Sequence, residues 1–225
     1  MKRLCQVFAL CGLLVVAGEA LAASEQAAAR NGAAAKLLEQ GKADAAIAEF
    51  QNALAIDPTY FPARLNLAFA YERAGKVEDA IAAYQGAIAV QPRNFLAHNN
   101  LGVLYDKKGQ YDLAIGEFES ALAVQPGEPM AAKNLATARK NQATIKERQA
   151  QILKAEQDAQ AKPDDPRASY NLARLYAHYN NKKLALQWLN KAVKQGYNDL
   201  AYVKVDPAFS NLRKDRDFEL LLLKK

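Results

Sequence analysis

Between Phe95 and Pro126, apolar and small residues recur at steps of three and four: Leu101, Gly102 and Tyr105, then Ala114, Phe118 and Ala121. That periodicity predicts two short amphipathic helices, with Gly109 between them and Pro126 at the end. The pattern repeats upstream at a fixed spacing of 34 residues. Gly41, Gly75 and Gly109 form one column. Ala46, Ala80 and Ala114 form a second, Phe50, Tyr84 and Phe118 a third, and Ala53, Ala87 and Ala121 a fourth. Pro58, Pro92 and Pro126 close each unit, while Leu37, Tyr71 and Tyr105 align in the first helices with Ala34, Ala68 and Gly102.

Each column has a physical reason. Small residues let two helices approach closely, and the aromatic fills the space between one pair and the next. Glycine ends the first helix in the left-handed conformation, and proline cannot continue the second. Alternation of period two is nearly absent, so the chain is expected to be all-helical. Three units are assigned, at roughly 27–60, 61–94 and 95–128.

Segment 129–162 opens in the same register, with Asn134, Leu135 and Ala136 aligned on Asn100, Leu101 and Gly102. Arg139 then replaces the tyrosine, and no glycine follows near 143. The segment reads either as a degenerate repeat or as one long linking helix. Its thin apolar stripe (Leu135, Ala138, Ile145, Ile152, Ala159) raises self-association of two chains through 135–160, although Gln142 and Gln149 weaken such a seam. After Pro163-Asp164-Asp165-Pro166 the register returns over 163–196, with Leu172, Ala173, Tyr176, Ala185, Leu189 and Ala192 in the columns and Asn180-Asn181 at the turn. Segment 197–225 reads as capping helices. Asp206-Pro207 suits a helix start, and Phe209, Leu212, Phe218, Leu221 and Leu222 offer a face to cover the last repeat.

Met1-Lys2-Arg3, the apolar run from Leu4 to Ala17 and the small residues ending at Ala22 and Ala23 have the order of a secretory signal peptide. The run is short of the ~20 residues that span a bilayer. Cleavage after Ala22 is expected, giving a periplasmic or secreted chain. Cys5 and Cys11 both fall inside this segment, so the remainder has no thiol. The formal charge is +6 and unevenly spread. Residues 23–130 hold 9 Lys and Arg against 13 Asp and Glu, and residues 131–225 hold 19 against 10.

Candidate chemistry is sparse. His98 and His178 lack the spacing of metal ligands, and no nucleophile elbow or phosphate-binding glycine loop occurs. The pattern argues against an enzyme and offers no cofactor site. Basic residues in the second half are spread along helices without interleaved exposed aromatics, which argues against nucleic acid.

The columns L-G-x2-Y, A-x3-F and P, as they stand at Leu101–Tyr105, Ala114–Phe118 and Pro126, resemble the tetratricopeptide repeat. That resemblance implies a right-handed superhelical array of helix-turn-helix units with a C-terminal capping segment, acting as a protein-interaction scaffold with a protein or peptide partner. It also implies a groove lined by the first helices. The matching places are Asn31 and Leu38; Leu65, Asn66, Phe69 and Arg73; Leu96, Asn99, Asn100, Val103 and Lys107; and Lys133 and Asn134. Asn66, Asn100, Asn134 and Asn171 recur at one place, where amides could hold a peptide backbone. Leu65, Phe69, Leu96 and Asn100 stand where some relatives use Lys and Arg to clamp a carboxylate, so an apolar or amphipathic peptide is expected. The competing expectation is docking of the basic second half on anionic lipid or cell-wall polymer.

Overall fold

The computed structural model describes the backbone of residues 2–223 and the side chains of residues 19–223. The side chains of the expected signal segment up to residue 18 therefore lie outside the described residues. Among the described residues eleven α-helices follow one another: α1 (Lys2–Glu39), α2 (Ala43–Ile56), α3 (Phe61–Arg73), α4 (Val77–Val90), α5 (Phe95–Lys107), α6 (Tyr111–Val124), α7 (Pro129–Ala161), α8 (Pro166–His178), α9 (Lys182–Lys194), α10 (Leu200–Val205) and α11 (Arg216–Leu222). A 3-10 turn at Pro207–Phe209 follows α10. No strand occurs among the described residues. The chain divides into two compact units, Met1–Asn141 and Gln142–Lys225.

In the first unit, α1–α2, α3–α4 and α5–α6 pack as helical hairpins, and α2 and α4 each pack on the first helix of the next hairpin. The turns follow the glycine column. Gly41, Gly75 and Gly109 have φ of 77°, 73° and 72°. After each, the next residue's N–H reaches back to close the helix: Lys42 to Leu37 O, Lys76 to Tyr71 O, and Gln110 to Tyr105 O, all at 2.9 Å. This is the left-handed cap that a side chain with Cβ resists. Asn180 takes the same role after α8, with φ 61° and an Asn181 N–H to Tyr176 O bond of 2.8 Å. Asparagine tolerates that region better than other side-chain-bearing residues.

The core of the first unit is built from the repeating columns. Ala46, Phe50 and Ala53 are fully buried, as are Ala80, Tyr84 and Ala87; Ala114 and Ala121 are fully buried around Phe118. Gly102 shows why its column is small: a Cβ there would come within 2.7 Å of the Phe118 ring. A polar contact repeats beside this core, from a second helix to the tyrosine 20 residues on. Gln51 Nε2 donates to Tyr71 OH and Gln85 Nε2 to Tyr105 OH, both at 2.9 Å.

Segment 129–161 is one helix of 33 residues, yet its two ends do different work. Towards its N-terminus, Ala131 and Ala138 are fully buried, and Leu135 and Ala138 pack into the α3–α6 core. Arg139 stands where earlier units have tyrosine and keeps the 20-residue contact, with Nη2 2.7 Å from Glu119 Oε1. Towards its C-terminus, Ile152, Ala155 and Ala159 pack into the core of the second unit. There Tyr176 OH donates to Glu156, again 20 residues away. Helix α7 thus supplies a first-helix surface to one unit and a second-helix surface to the other. With no glycine near 143, nothing interrupts the helix. Of the apolar stripe considered for self-association, Leu135, Ala138, Ile152 and Ala159 are packed within their own units.

In the second unit, α8 and α9 form a hairpin covered by the C-terminal segment. Phe209, Leu212, Phe218 and Leu221 are buried in its core with Tyr170, Leu172 and Leu189. Local caps hold this segment: the side chains of Asp199, Asp206 and Asp215 accept the N–H groups of Tyr202, Ala208 and Asp217.

Candidate functional site

The expected groove residues of the first unit lie on α1, α3, α5 and α7, and hydrogen bonds link these helices in steps of 35 residues. Asn66 Nδ2 donates to Asn31 Oδ1 at 3.0 Å. Lys107 Nζ lies 3.0 Å from Glu72 Oε1. Asn134 Nδ2 donates to Asn99 Oδ1 at 3.3 Å, and Asn141 Nδ2 to Asp106 Oδ1 at 3.5 Å. The relay continues inward: Asn99 Nδ2 donates to Asn100 Oδ1 at 3.2 Å, and Asn100 Nδ2 to Tyr84 OH at 3.3 Å. Burial raises the pKa of the Tyr84 hydroxyl, the Asn100 bond lowers it, and Glu72 raises it further.

Much of the amide row is therefore spent inside the chain. Asn99 is only 6% exposed, and both ends of its side chain are engaged. Such amides order successive first helices, because a buried amide left unpaired would be costly. Leu65 and Val103 are half-buried and pack into the α3–α6 core, and Leu38 and Asn31 are also half-buried. What faces solvent is apolar and basic. Phe69 is 42% exposed and Leu96 51%, and Arg73 and Lys133 are exposed.

A cleft of about 640 Å³ opens beside Leu96, lined by Asn99, Asn100, Val124 and Met130. Met130 is 63% exposed and does not belong to the groove set expected from the repeat places. Its signal was present, since it stands 34 residues after Leu96, at the same place of the next unit. Large apolar side chains left in water beside a cleft are the informative exceptions on a surface.

His98 is buried, with Nδ1 2.7 Å from Glu117 Oε2 and Nε2 2.9 Å from Pro92 O. It ties the start of α5 to α6 and to the preceding loop, a packing role. Among the described residues no group of three His, Cys, Asp or Glu is placed to hold a metal ion.

The second unit carries a separate polar constellation. Asp206 is buried and accepts from Tyr170 OH at 2.6 Å and from the Ala208 N–H at 2.9 Å. Arg174 Nε lies 2.7 Å from the same Asp206 oxygen that Tyr170 reaches, Oδ2. Burial pushes the Asp206 carboxyl up, but Tyr170, Ala208 and Arg174 together hold it below the usual carboxylate value.

Residues 37–99, 83–116 and 130–199 match family models described as tetratricopeptide repeat. A chloroplastic protein of Arabidopsis thaliana is 42% identical over 55 residues, which is 24% of this chain and 16% of that protein. The first TPR of Spaghetti (RPAP3) bound to HSP90 peptide SRMEEVD superposes with a TM-score of 0.52 at 24% identity, covering 53% of this chain and 95% of that one. The second TPR domain of human RPAP3, in complex with HSP70 peptide SGPTIEEVD, gives 0.50 at 24% identity over 52% and 98%. MamA 41-end from Desulfovibrio magneticus RS-1 gives 0.50 at 16% identity over 75% and 94%. These likenesses concern the fold, and the fold agrees with the family models. The chain is a tetratricopeptide-repeat protein.

Proposed function

We propose that this chain is a non-enzymatic interaction scaffold that holds an apolar or amphipathic segment of a partner protein against the face built by α3, α5 and the start of α7. The observation that carries this reading is the exposure of Phe69, Leu96 and Met130 on helices already ordered by their own amide and ion-pair links. A face ordered before binding loses little conformational freedom when a ligand arrives. Related folds hold HSP90 and HSP70 peptides, which supports a peptide ligand as a class. The chemistry is non-covalent: apolar anchors supply affinity, and Arg73 and Lys133 at the margin select charge.

Phe69→Glu tests the reading, because a buried uncompensated carboxylate would oppose an apolar anchor. Partner capture by the variant is expected to fall at least tenfold with an unchanged melting curve. Unchanged capture would move the site elsewhere.

Export is part of the proposal and rests on the N-terminal charge and hydropathy pattern. The N-terminus of the protein isolated from a Gram-negative envelope is expected at Ala23, and recovery starting at Met1 would overturn the assignment.

A second reading has its own observation. Between Pro166 and Asn198 the chain carries Arg167, Arg174, Lys182, Lys183, Lys191 and Lys194 and no Asp or Glu. That hairpin would suit docking on anionic lipid or cell-wall polymer. Binding through it should weaken steeply with salt, whereas binding to the apolar face should not.

A further inference from the structure

The C-terminal segment covers the last hairpin with Phe209, Leu212, Phe218 and Leu221. The closing segment of a repeat array is expected to turn a polar face to water. This one does not. Val205 and Leu223 are 63% and 76% exposed, and Leu200 and Leu222 are half-buried. These four line a cleft of about 860 Å³ within the second unit, together with Phe218, Lys204, Arg213 and Glu219. We propose that this cleft binds a single-chain anionic amphiphile such as a fatty acid, its alkyl chain on the apolar wall and its head at the cationic rim.

The cleft is graded from floor to rim. Phe218 is almost wholly buried, Leu200 and Leu222 are half-buried, and Lys204 and Arg213 are exposed. Capping the last repeat does not require this wall, since Val203 is the one buried residue of α10. Large apolar side chains left in water around a concavity mark a binding surface. The walls are also fixed in place. Arg213 Nη2 donates to Val205 O at 3.1 Å, which ties the end of α10 to the segment before α11. The side chains of Asp199 and Asp215 cap the starts of the two helices. A preformed apolar cleft of this volume with few polar groups has the form of a small-molecule site.

Charge and size select the ligand. Lys204 and Arg213 line the cleft with one carboxylate, Glu219, leaving a net charge of one that a single anionic head would balance. Among the described residues neither cation has an ion-pair partner. Helices α10 and α11 have six and seven residues, so each is only about 10 Å long. Rails that short support barely two turns of a partner helix, whereas one alkyl chain needs no more. A floor set below the surface, at Phe218, favours a chain entering singly over contact with the plane of a bilayer. The site uses only second-unit residues and is independent of the apolar face of the first unit. Phe69→Glu is expected to leave it unchanged.

The test is calorimetric titration of the full chain with dodecanoate below its critical micelle concentration. The comparison probes are dodecyltrimethylammonium, butyrate, an amphipathic Leu/Glu helix peptide and phosphatidylglycerol vesicles. Dodecanoate is expected to bind saturably at one site, with dodecyltrimethylammonium and butyrate at least tenfold weaker. Val205→Asn should weaken dodecanoate at least fivefold and Lys204→Gln about threefold, while Glu219→Gln should tighten it about twofold. Leu220→Asn and Lys214→Gln, at an exposed apolar residue and an exposed cation outside the cleft, should leave it unchanged. All five substitutions fall on exposed residues, and unchanged melting curves would show that the fold persists. Equal losses in Val205→Asn and Leu220→Asn would overturn the cleft in favour of a diffuse apolar surface. Equal affinity for the cationic amphiphile would overturn the anionic head. Tighter binding of the peptide, or binding to vesicles without binding of the monomer, would overturn the amphiphile as occupant.

Discussion

A methyl group added at Gly102 would meet the Phe118 ring at 2.7 Å, and Phe118 is almost wholly buried. Gly102→Ala therefore overpacks the α5–α6 contact and is expected to cost about 1–3 kcal/mol, read as a lower midpoint in urea with an unchanged slope. A Cβ at Gly109 would meet nothing closer than the Tyr111 hydroxyl at 4.0 Å, but its φ is 72°. Gly109→Val is expected to cost about 1–2 kcal/mol through backbone strain alone. A wild-type midpoint would remove the left-handed cap as a source of stability. Tyr176 sets a pH limit on the second unit. Burial, and then the nearby Glu156, push its hydroxyl up to about 12, against about 10 in an unfolded chain. The unfolded state then loses its proton first as pH rises. The stability this group contributes is present below about pH 10 and is lost between about 10 and 12. In alkaline unfolding curves Tyr176→Phe should flatten the decline over that interval, and an identical decline in the variant would contradict the assignment.

At the scale of elements, the hairpin turns were legible in the sequence and α7 was legible only in part. Glycine or asparagine at 41, 75, 109 and 180 announces a left-handed cap, and the structure has one at each. Near 143 no such residue stands, and the helix continues. The sequence left two readings open, a degenerate repeat or a linking helix, because both come from the same missing turn. The structure combines them: each end packs as a repeat helix while the backbone runs on. Spacing hides this, since Glu156 follows Glu119 by 37 residues rather than 34, which breaks the register a pattern search relies on. The division of labour makes a prediction. Ala138→Asp should speed hydrogen exchange in α5 and α6, and Ala159→Asp in α8 and α9, because each buries a charge in a different core. Exchange that rises everywhere in both variants would contradict two separately packed units.

At the scale of the whole molecule, the repeat columns specify a scaffold but only outline its site. Repeat places assign the expected groove residues to the first helices, yet they could not show that Asn99, Asn100 and Asn134 bond mainly to one another. Nor could they show that Leu65 and Val103 turn partly into the core. Those outcomes depend on contacts between side chains some 35 residues apart, as from Asn99 to Asn134, which periodicity does not carry. Phe69 and Leu96 remain from the expected apolar set, and Met130 joins them. The central claim is that a partner segment lies on this face. Its most direct test is photo-crosslinking in the cell, with p-benzoylphenylalanine placed at residue 69 or, as control, at Leu113, an exposed apolar residue of α6. The account predicts a discrete covalent adduct from residue 69 and none from residue 113; equal adducts from both, or none from residue 69, would contradict it.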